Sequence, residues 1–598
     1  MTKLINRRDL DFVLYELLDI ERLTARRRFA DHSRETFSAA LDTAEQIAAE
    51  KFAPHNRKAD LNEPHFDGLQ VHMIPEVKEA LSAFIEAGFM AAGHDYAYGG
   101  MQLPHTLALA CNGLFKAANV GTSGYPFLTI GNANLLLAHG TEQQIERYAR
   151  PELAGRFFGT MCLSEPQAGS SLADIRTTAF PQTDGSYRIV GSKMWISAGD
   201  HELSENIIHL VLARIRDAPA GVRGISLFIV PKFRVNQDGS LGARNDVALA
   251  GLNHKMGYRG TANCVLNFGE NRDCRGELVG QPNQGLACMF HMMNEARIGV
   301  GFGAVMLGYT GYLHALDYAR NRPQGRLPGA KDPTSPQLPI VRHADVRRML
   351  LAQKAYVEGG LALCLYAASL VDEQKTSPDD ALRREAGQLL DLLTPVVKSW
   401  PSQWCLEANS LAIQVHGGYG YSREYPVEQF YRDNRLNPIH EGTHGIQAMD
   451  LLGRKVLMDG GSGLKLLARE MRQTIAAANA QEGLREHATA LAGALEAVAE
   501  TTRVLAAALA KDSQAGLANA SVYLEMFGHT VVGWLWLRQA LAASHGLASG
   551  DAADADFYRG KLQSCRYFFR WELPKTEPQH ALLRALDDTC LTMADGWF

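Results

Sequence analysis

From about residue 35 to 158, apolar positions recur every three or four residues. The clearest cases are ETFSAALDTAEQIAAEKF (35–52), IPEVKEALSAFIEAGF (74–89) and TEQQIERYARPELAG (141–155). That period predicts amphipathic helices. Near Gly159 the pattern changes to short runs rich in Val, Ile, Tyr and Phe, broken by Gly, Asp and Pro: SYRIVGSKMWIS, NIIHLVLARI, GISLFIVPKF and NCVLNFG. These runs predict strands, and Asp184-Gly185 between two of them predicts a hairpin turn. Helical spacing returns over 283–321, 342–376, 380–415 and 443–457, with five prolines in a loop from Pro323 to Pro339. Gly460-Gly461-Ser462-Gly463 reads as a linker, after which 464–598 is helical and alanine-rich, and no repeat of fixed period occurs. The expected organisation is α+β: an N-terminal helical extension (1–34), an α domain (35–158), a central β domain (159–280), a second helical region (281–458) and an additional C-terminal helical domain (459–598).

Composition narrows the class. A chain of 598 residues with 46% hydrophobic residues is neither disordered nor a single small domain. Sixty Lys+Arg against 65 Asp+Glu give a net charge of −5, so a nucleic-acid binder relying on counterion release is not expected. Residues 464–598 carry 13 Lys+Arg against 15 Asp+Glu, so the tail is not basic either. Nine scattered cysteines without a CxxC argue against a disulfide framework or a Cys-rich zinc site, and point to a reducing cytoplasm. The N-terminus lacks the apolar run of a signal peptide. Ile298–Leu316 is free of charge for 19 residues, but its glycines, Thr310 and His314 favour a buried helix over a membrane span.

Two motifs invite misreading. Gly299-x-Gly301-x-x-Ala304 fits a dinucleotide fingerprint, yet helical sequence precedes it where a strand is required, so close helix packing is the expected role. His440-Glu441-Gly442-Thr443-His444 matches H-E-x-x-H, the zinc-peptidase pattern. Pro438 and Gly442 work against the helix that motif needs, and no third ligand follows nearby, so no metal is expected. A third set is more specific. Met161-Cys162-Leu163-Ser164-Glu165-Pro166-Gln167-Ala168-Gly169-Ser170-Ser171 opens the β region, and Lys193-Met194-Trp195-Ile196-Ser197 follows. Gln414-Val415-His416-Gly417-Gly418-Tyr419-Gly420 and Ile439-His440-Glu441-Gly442-Thr443 close the second helical region.

In this order and layout, the four segments resemble the acyl-CoA dehydrogenase family over about residues 35–458. The long C-terminal addition resembles the family's long bacterial branch, which includes medium- and long-chain acyl-CoA and methylmercaptopropionyl-CoA dehydrogenases. The resemblance implies a four-helix bundle over 281–458, FAD as cofactor, an acyl-CoA substrate and an electron-transfer flavoprotein as partner. It places the α-proton-abstracting base on Glu441 and leaves space for the thioester at Gly442. The glutamate's own N–H and a flavin hydroxyl would stabilise the enolate. It assigns Met161, Leu163, Ser164, Trp195 and Ser197 to the flavin ring. Arg322, Gln324, Gln414, Gly417, Gly418 and Thr443 fall to the rest of the cofactor, partly across a subunit boundary. Ser170 falls near the cofactor and the CoA chain, and Asn294 and Arg297 near the CoA chain. Some relatives carry the base just before the arginine; here that position is Ala296, which favours Glu441.

Departures from the family pattern are Ser171, Asn294 and His440. A protonated His440 would lower the pKa of the neighbouring carboxyl. The C-terminal domain is expected to cover a face used for tetramers in shorter relatives, leaving a homodimer. An acyl-CoA oxidase on the same scaffold and a non-catalytic or DNA-associated flavoprotein relative are the alternatives.

Overall fold

The computed structural model describes residues 3–329, 332, 334–549 and 553–598, except the side chain of Asn294. The chain forms two compact units, one of residues 34–296 and one of residues 3–33 with 297–598.

The first unit begins with helices Arg34–Ile47, Pro75–Glu86, His105–Ala118 and Val120–His139. The helical period buries Phe37, Leu41 and Ala44 on one face of the first helix, and Val77, Ala80, Leu81 and Phe84 on one face of the second. The Phe84 and Phe115 rings meet edge-on, 4.8 Å apart. Helix 120–139, capped by the Asn119 side chain, holds the first strand of the sheet. Gly159 N–H donates to Thr129 Oγ1 (3.1 Å), and Asn132 Nδ2 donates to the carbonyls of Thr160 (3.2 Å) and Ile208 (2.9 Å).

That strand, Phe157–Cys162, joins an eight-stranded sheet in the order 247–252, 263–268, 187–197, 275–279, 225–231, 206–215, 157–162. Strand Thr178–Pro181 pairs with both 187–197 and 206–215, so five strands close into a ring. The expected hairpin at Asp184-Gly185 forms, with Gly185 at φ 82°. Alternation along 206–215 sends Leu210 and Leu212 into one core and Val211 and Ala213 into another, and leaves none of these four exposed.

The second unit is built on helices Ala344–Thr376 and Asp380–His416 and on the 297–321 part of helix Gly285–Asn321. The glycine fingerprint lies inside the last of these, a helix in which Gly301 of the fingerprint and Gly308 beyond it are contact points. A Cβ on Gly301 would stand 1.9 Å from the Val397 carbonyl oxygen, and one on Gly308 2.8 Å from Cys405 Cβ. The charge-free stretch 298–316 is mostly buried within this helix. Among the described residues a different helix, 344–376, is long and apolar enough to cross a membrane, and its apolar window is wholly buried in the protein.

The expected linker takes left-handed backbone. Asp459, Gly460 and Gly461 take φ of 49°, 65° and 77°, and a helix starts at Ser462, with Gly463 packed against the Gln388 carbonyl. The added helices Ser462–Asn479, Arg485–Leu509, Ala520–Ala548 and Ala555–Tyr567 follow. The apolar run 531–537 is buried in the third of them, where Trp536 Nε1 donates to the Ala355 carbonyl at 3.1 Å. The N-terminal segment, with helix Arg7–Asp11, belongs to this unit rather than to that of the 35–158 helices.

Candidate active site

Glu441 sits on a loop between helix Val427–Asn434 and helix His444–Asp450. Glu441 and Gly442 both take left-handed backbone, φ 55° and 89°. These two residues break the helix that H-E-x-x-H needs, so His440 and His444 do not share one helical face. Thr443 caps the following helix, its Oγ1 accepting from Ile446 N–H at 3.3 Å. Burial raises the Glu441 carboxyl above its ordinary pKa, and the charges of Arg297 and Lys398 pull it partly back. His440 Nε2 stands 3.0 Å from Asn437 Oδ1, an oxygen turned to the ring because the same amide donates to Asn434 Oδ1 at 2.8 Å. Asn434 donates to Asn409 Oδ1 (2.7 Å) and the Ala304 carbonyl (3.1 Å), so buried amides tie the segment before Glu441 to two bundle helices.

Arg297 is buried and its Nη1 lies 3.5 Å from Asp450 Oδ2. Burial lowers its pKa, while Asp450 and Glu441 favour its charge. Lys398, which the sequence reading does not single out, is fully buried on helix 380–416 and donates from Nζ to the Gly442 carbonyl at 2.7 Å. Its sequence signal is a lone lysine inside TPVVKSWPS, a stretch buried from Thr394 to Ser402. Elsewhere in this unit, Arg322, Gln324, Gly417 and Gly418 line one cavity of about 570 Å³ with Tyr318, His416 and Tyr419. Arg322 Nη2 donates to Gln324 Oε1 at 3.0 Å. Gly417 has φ 62°, and a Cβ there or at Gly418 would meet nothing within 4 Å, which leaves backbone open to a ligand. Gln414 is exposed on the last helical turn and does not line this cavity, nor does Thr443.

In the other unit, Met161 is the last but one residue of the 157–162 strand, and Leu163 and Ser164 follow its end. Lys193 Nζ donates to the Leu163 carbonyl and to Glu165 Oε1, both at 2.9 Å, and Met194 N–H donates to the Ser164 carbonyl at 3.0 Å. With these carbonyls engaged, the segment offers N–H groups and the Ser164 hydroxyl. Glu165 is buried and held down to about 2: burial opposes its charge, but Lys193, Thr177 and the Arg176 N–H outweigh it. A bulge opposite Cys264–Leu266 accommodates Trp195 at φ 64° and leaves its indole 56% exposed. Ser197 Oγ accepts from Asn263 Nδ2 at 3.2 Å. Ser170 lies exposed just beyond the tight Glu165–Ala168 turn. The side chain of Asn294 lies outside the described residues.

Four family models match the chain: the acyl-CoA dehydrogenase N-terminal domain over 34–156, the middle domain over 160–270, the C-terminal domain over 283–457, and an acetyl-CoA dehydrogenase C-terminal-like domain over 467–594. The chain belongs to the acyl-CoA dehydrogenase family and is an oxidoreductase of that class. Among its relatives, the 3-methylmercaptopropionyl-CoA dehydrogenase of Ruegeria pomeroyi is 37% identical over 98% of both chains. The broad-specificity linear acyl-CoA dehydrogenase FadE5 of Mycobacterium tuberculosis is 35% identical over 99% of both. A Bacillus anthracis acyl-CoA dehydrogenase solved with FAD shares the fold, with TM-score 0.75 and 19% identity over 94% of this chain and 90% of that one.

Proposed function

We propose that this chain is an FAD-dependent acyl-CoA dehydrogenase that converts an acyl-CoA to the trans-2-enoyl-CoA, with Glu441 as the base. The observation that carries this reading is Glu441 itself, a half-buried residue in a left-handed turn whose carboxyl is desolvated so that its pKa rises above the ordinary value, as a base needs. The residues present suit a flavin dinucleotide. An exposed indole at Trp195 can lie against a ring. The 161–164 edge and Ser197 offer N–H and hydroxyl groups to it. Arg322, beside the open backbone of Gly417 and Gly418, suits a pyrophosphate. When bound, the flavin supplies the hydride acceptor that no side chain provides. Glu441 takes and holds the α-proton, its backbone N–H would donate to the developing negative oxygen, and Gly442 leaves the room that Gln447 occupies, since a Cβ there would run into Gln447 Nε2.

The reading extends to an electron-transfer flavoprotein as acceptor, and to linear or thioether-containing acyl groups, for which the two relatives are named. Anaerobic bleaching of the flavin by acyl-CoAs of graded length, including thioether ones, tests the acyl range, and reoxidation of the bleached flavin by an electron-transfer flavoprotein tests the acceptor. Glu441→Gln should keep FAD and bind acyl-CoA, yet bleach about 10²–10⁴-fold more slowly. Bleaching of that variant at the normal rate would show that the base lies elsewhere. The added helices lie against the 344–376 and 380–416 helices; Gly359 meets Trp536 and Gly528 meets Trp400. We infer from that cover a homodimer rather than a tetramer. A native mass of two chains is expected, and one of four chains would refute it.

A further inference from the structure

The loop carrying Glu441 is pinned at both of its left-handed residues. Gln447 Nε2 donates to the Glu441 carbonyl at 2.9 Å, and Lys398 Nζ donates to the Gly442 carbonyl at 2.7 Å. A non-glycine residue in this conformation costs on the order of 1 kcal/mol or more, so the turn persists only if its surroundings hold it. Gln447 comes from the helix that follows the loop. Lys398 comes from another helix, 44 residues earlier. A buried ammonium carries a desolvation cost of several kcal/mol, so this is not a position that packing alone would fill with lysine. Val396, Val397 and Trp400 around it are fully buried apolar residues.

We propose that Lys398 is a positioning residue for proton abstraction: it fixes the turn through the Gly442 carbonyl and places a cation beside the Glu441 carboxyl. This rests on the reading of Glu441 as the base. The charged and titratable groups around Lys398 are Glu441 and His444 on the loop and the helix after it, and Arg297 on the 285–321 helix. Arg297 is in turn faced by Asp450 and Arg454. Burial lowers Lys398 to about 7; Glu441 opposes that shift and Arg297 adds to it. The cationic charge beside the base therefore changes near neutrality. With Lys398 protonated the Glu441 carboxylate forms more readily, and removing that cation pushes the carboxyl further up.

The test measures the anaerobic rate of flavin reduction by acyl-CoA from pH 5 to 9. It compares the FAD-loaded wild type with Lys398→Met, Lys398→Gln and Glu441→Gln, and records FAD content and acyl-CoA affinity for each. Lys398→Met should reduce flavin roughly 10–100-fold more slowly, the loss of one charge-assisted hydrogen bond. Its acyl-CoA affinity should move less than about threefold. The ascending limb of its pH profile should shift up by about one unit. Lys398→Gln keeps a donor without a charge, so it should recover most of the rate while its limb stays displaced. A residue that only supports packing would lower thermal stability and leave the limb in place. A slow Glu441→Gln beside Lys398 variants of wild-type rate and limb overturns the role of Lys398 alone. A Glu441→Gln of normal rate overturns the base assignment and this proposal with it. If Lys398→Met does not fold, the limb of Lys398→Gln decides, and an undisplaced limb overturns the proposal.

Discussion

Glu152, wholly buried, and Glu441, half-buried, are both carboxyls with raised pKa, and the difference between them separates cost from use. Glu441 has two cations acting on it. Glu152 is wholly buried, and neither of its oxygens has a hydrogen-bond partner among the described residues, so burial alone holds its pKa well up. Asn132 Oδ1 is an orphan in the same place: a Cβ built on Gly159 would stand 2.6 Å from Glu152 Oε1 and 2.5 Å from Asn132 Cβ. Because the folded-state pKa lies above the unfolded one, Glu152 favours folding fully only below the ordinary carboxylate pKa. That contribution is lost as pH rises through the folded value. Glu152→Gln should therefore melt close to wild type at pH 4 and about 2 °C or more above it at pH 8. Equal melting temperatures at both pH values would show that the site relaxes around a charged Glu152. The other carboxyl was the more legible of the two. Glu441, Gly442 and Arg297 stand in motifs, and the structure places them in one electrostatic neighbourhood. Lys398, Gln447 and the Asn409–Asn434–Asn437 amides were not legible, because each acts on backbone or on another amide that only the fold brings near.

Among elements, legibility followed how cleanly one face is buried. The 34–47 and 75–86 helices have one apolar face each and were predicted by period alone. Helix 120–139 is buried nearly all round, and its Gly121, Gly124, Pro126 and Gly131 argue locally against a helix. Packing explains two of those glycines: a Cβ on Gly121 would stand 3.3 Å from Gly260 Cα, and one on Gly131 3.2 Å from Met292. Tertiary contact thus outweighs propensity there. The strand 187–197 was expected from SYRIVGSKMWIS, but its bulge was not. The register slips between Lys193 and Ile196, and this slip exposes the Trp195 indole. A period-two reading of the run cannot show it, because the extra residue is set by the partner strand at Cys264–Leu266. The form of the expected linker at 460–463 was hidden for a related reason. Glycine marks a left-handed turn as readily as a flexible joint, and here it makes a turn.

At the scale of the larger unit, the N-terminal segment, the bundle and the added C-terminal helices meet at one buried cluster of charge. Lys561 of the 555–567 helix forms ion pairs with Asp9 of the 7–11 helix and, at 2.8 Å, with Glu358 of the 344–376 helix. Lys354 pairs with Glu358, Tyr309 donates to Asp9 at 2.8 Å, and Gln539 accepts from Lys561 at 3.0 Å. The side chains of Asp9, Glu358 and Lys561 are no more than 1% exposed. Burial opposes the Glu358 charge, but Lys354 and Lys561 hold its carboxyl below the ordinary range. Such a cluster adds little net stability compared with apolar packing, but losing one member strands the others in a dry interior. Lys561→Met should therefore destabilise the unit by about 3–5 kcal/mol, the cost of breaking a buried pair. The loss should be local first: Asp9 has the shortest surrounding structure, so residues 3–17 should lose hydrogen-exchange protection before the 344–376 helix does. Adding Asp9→Asn to Lys561→Met removes one stranded charge and should restore part of the lost stability. If Lys561→Met instead melts like wild type with residues 3–17 still protected, apolar contacts such as Phe12 with Phe557 hold the N-terminal segment without help from the charges.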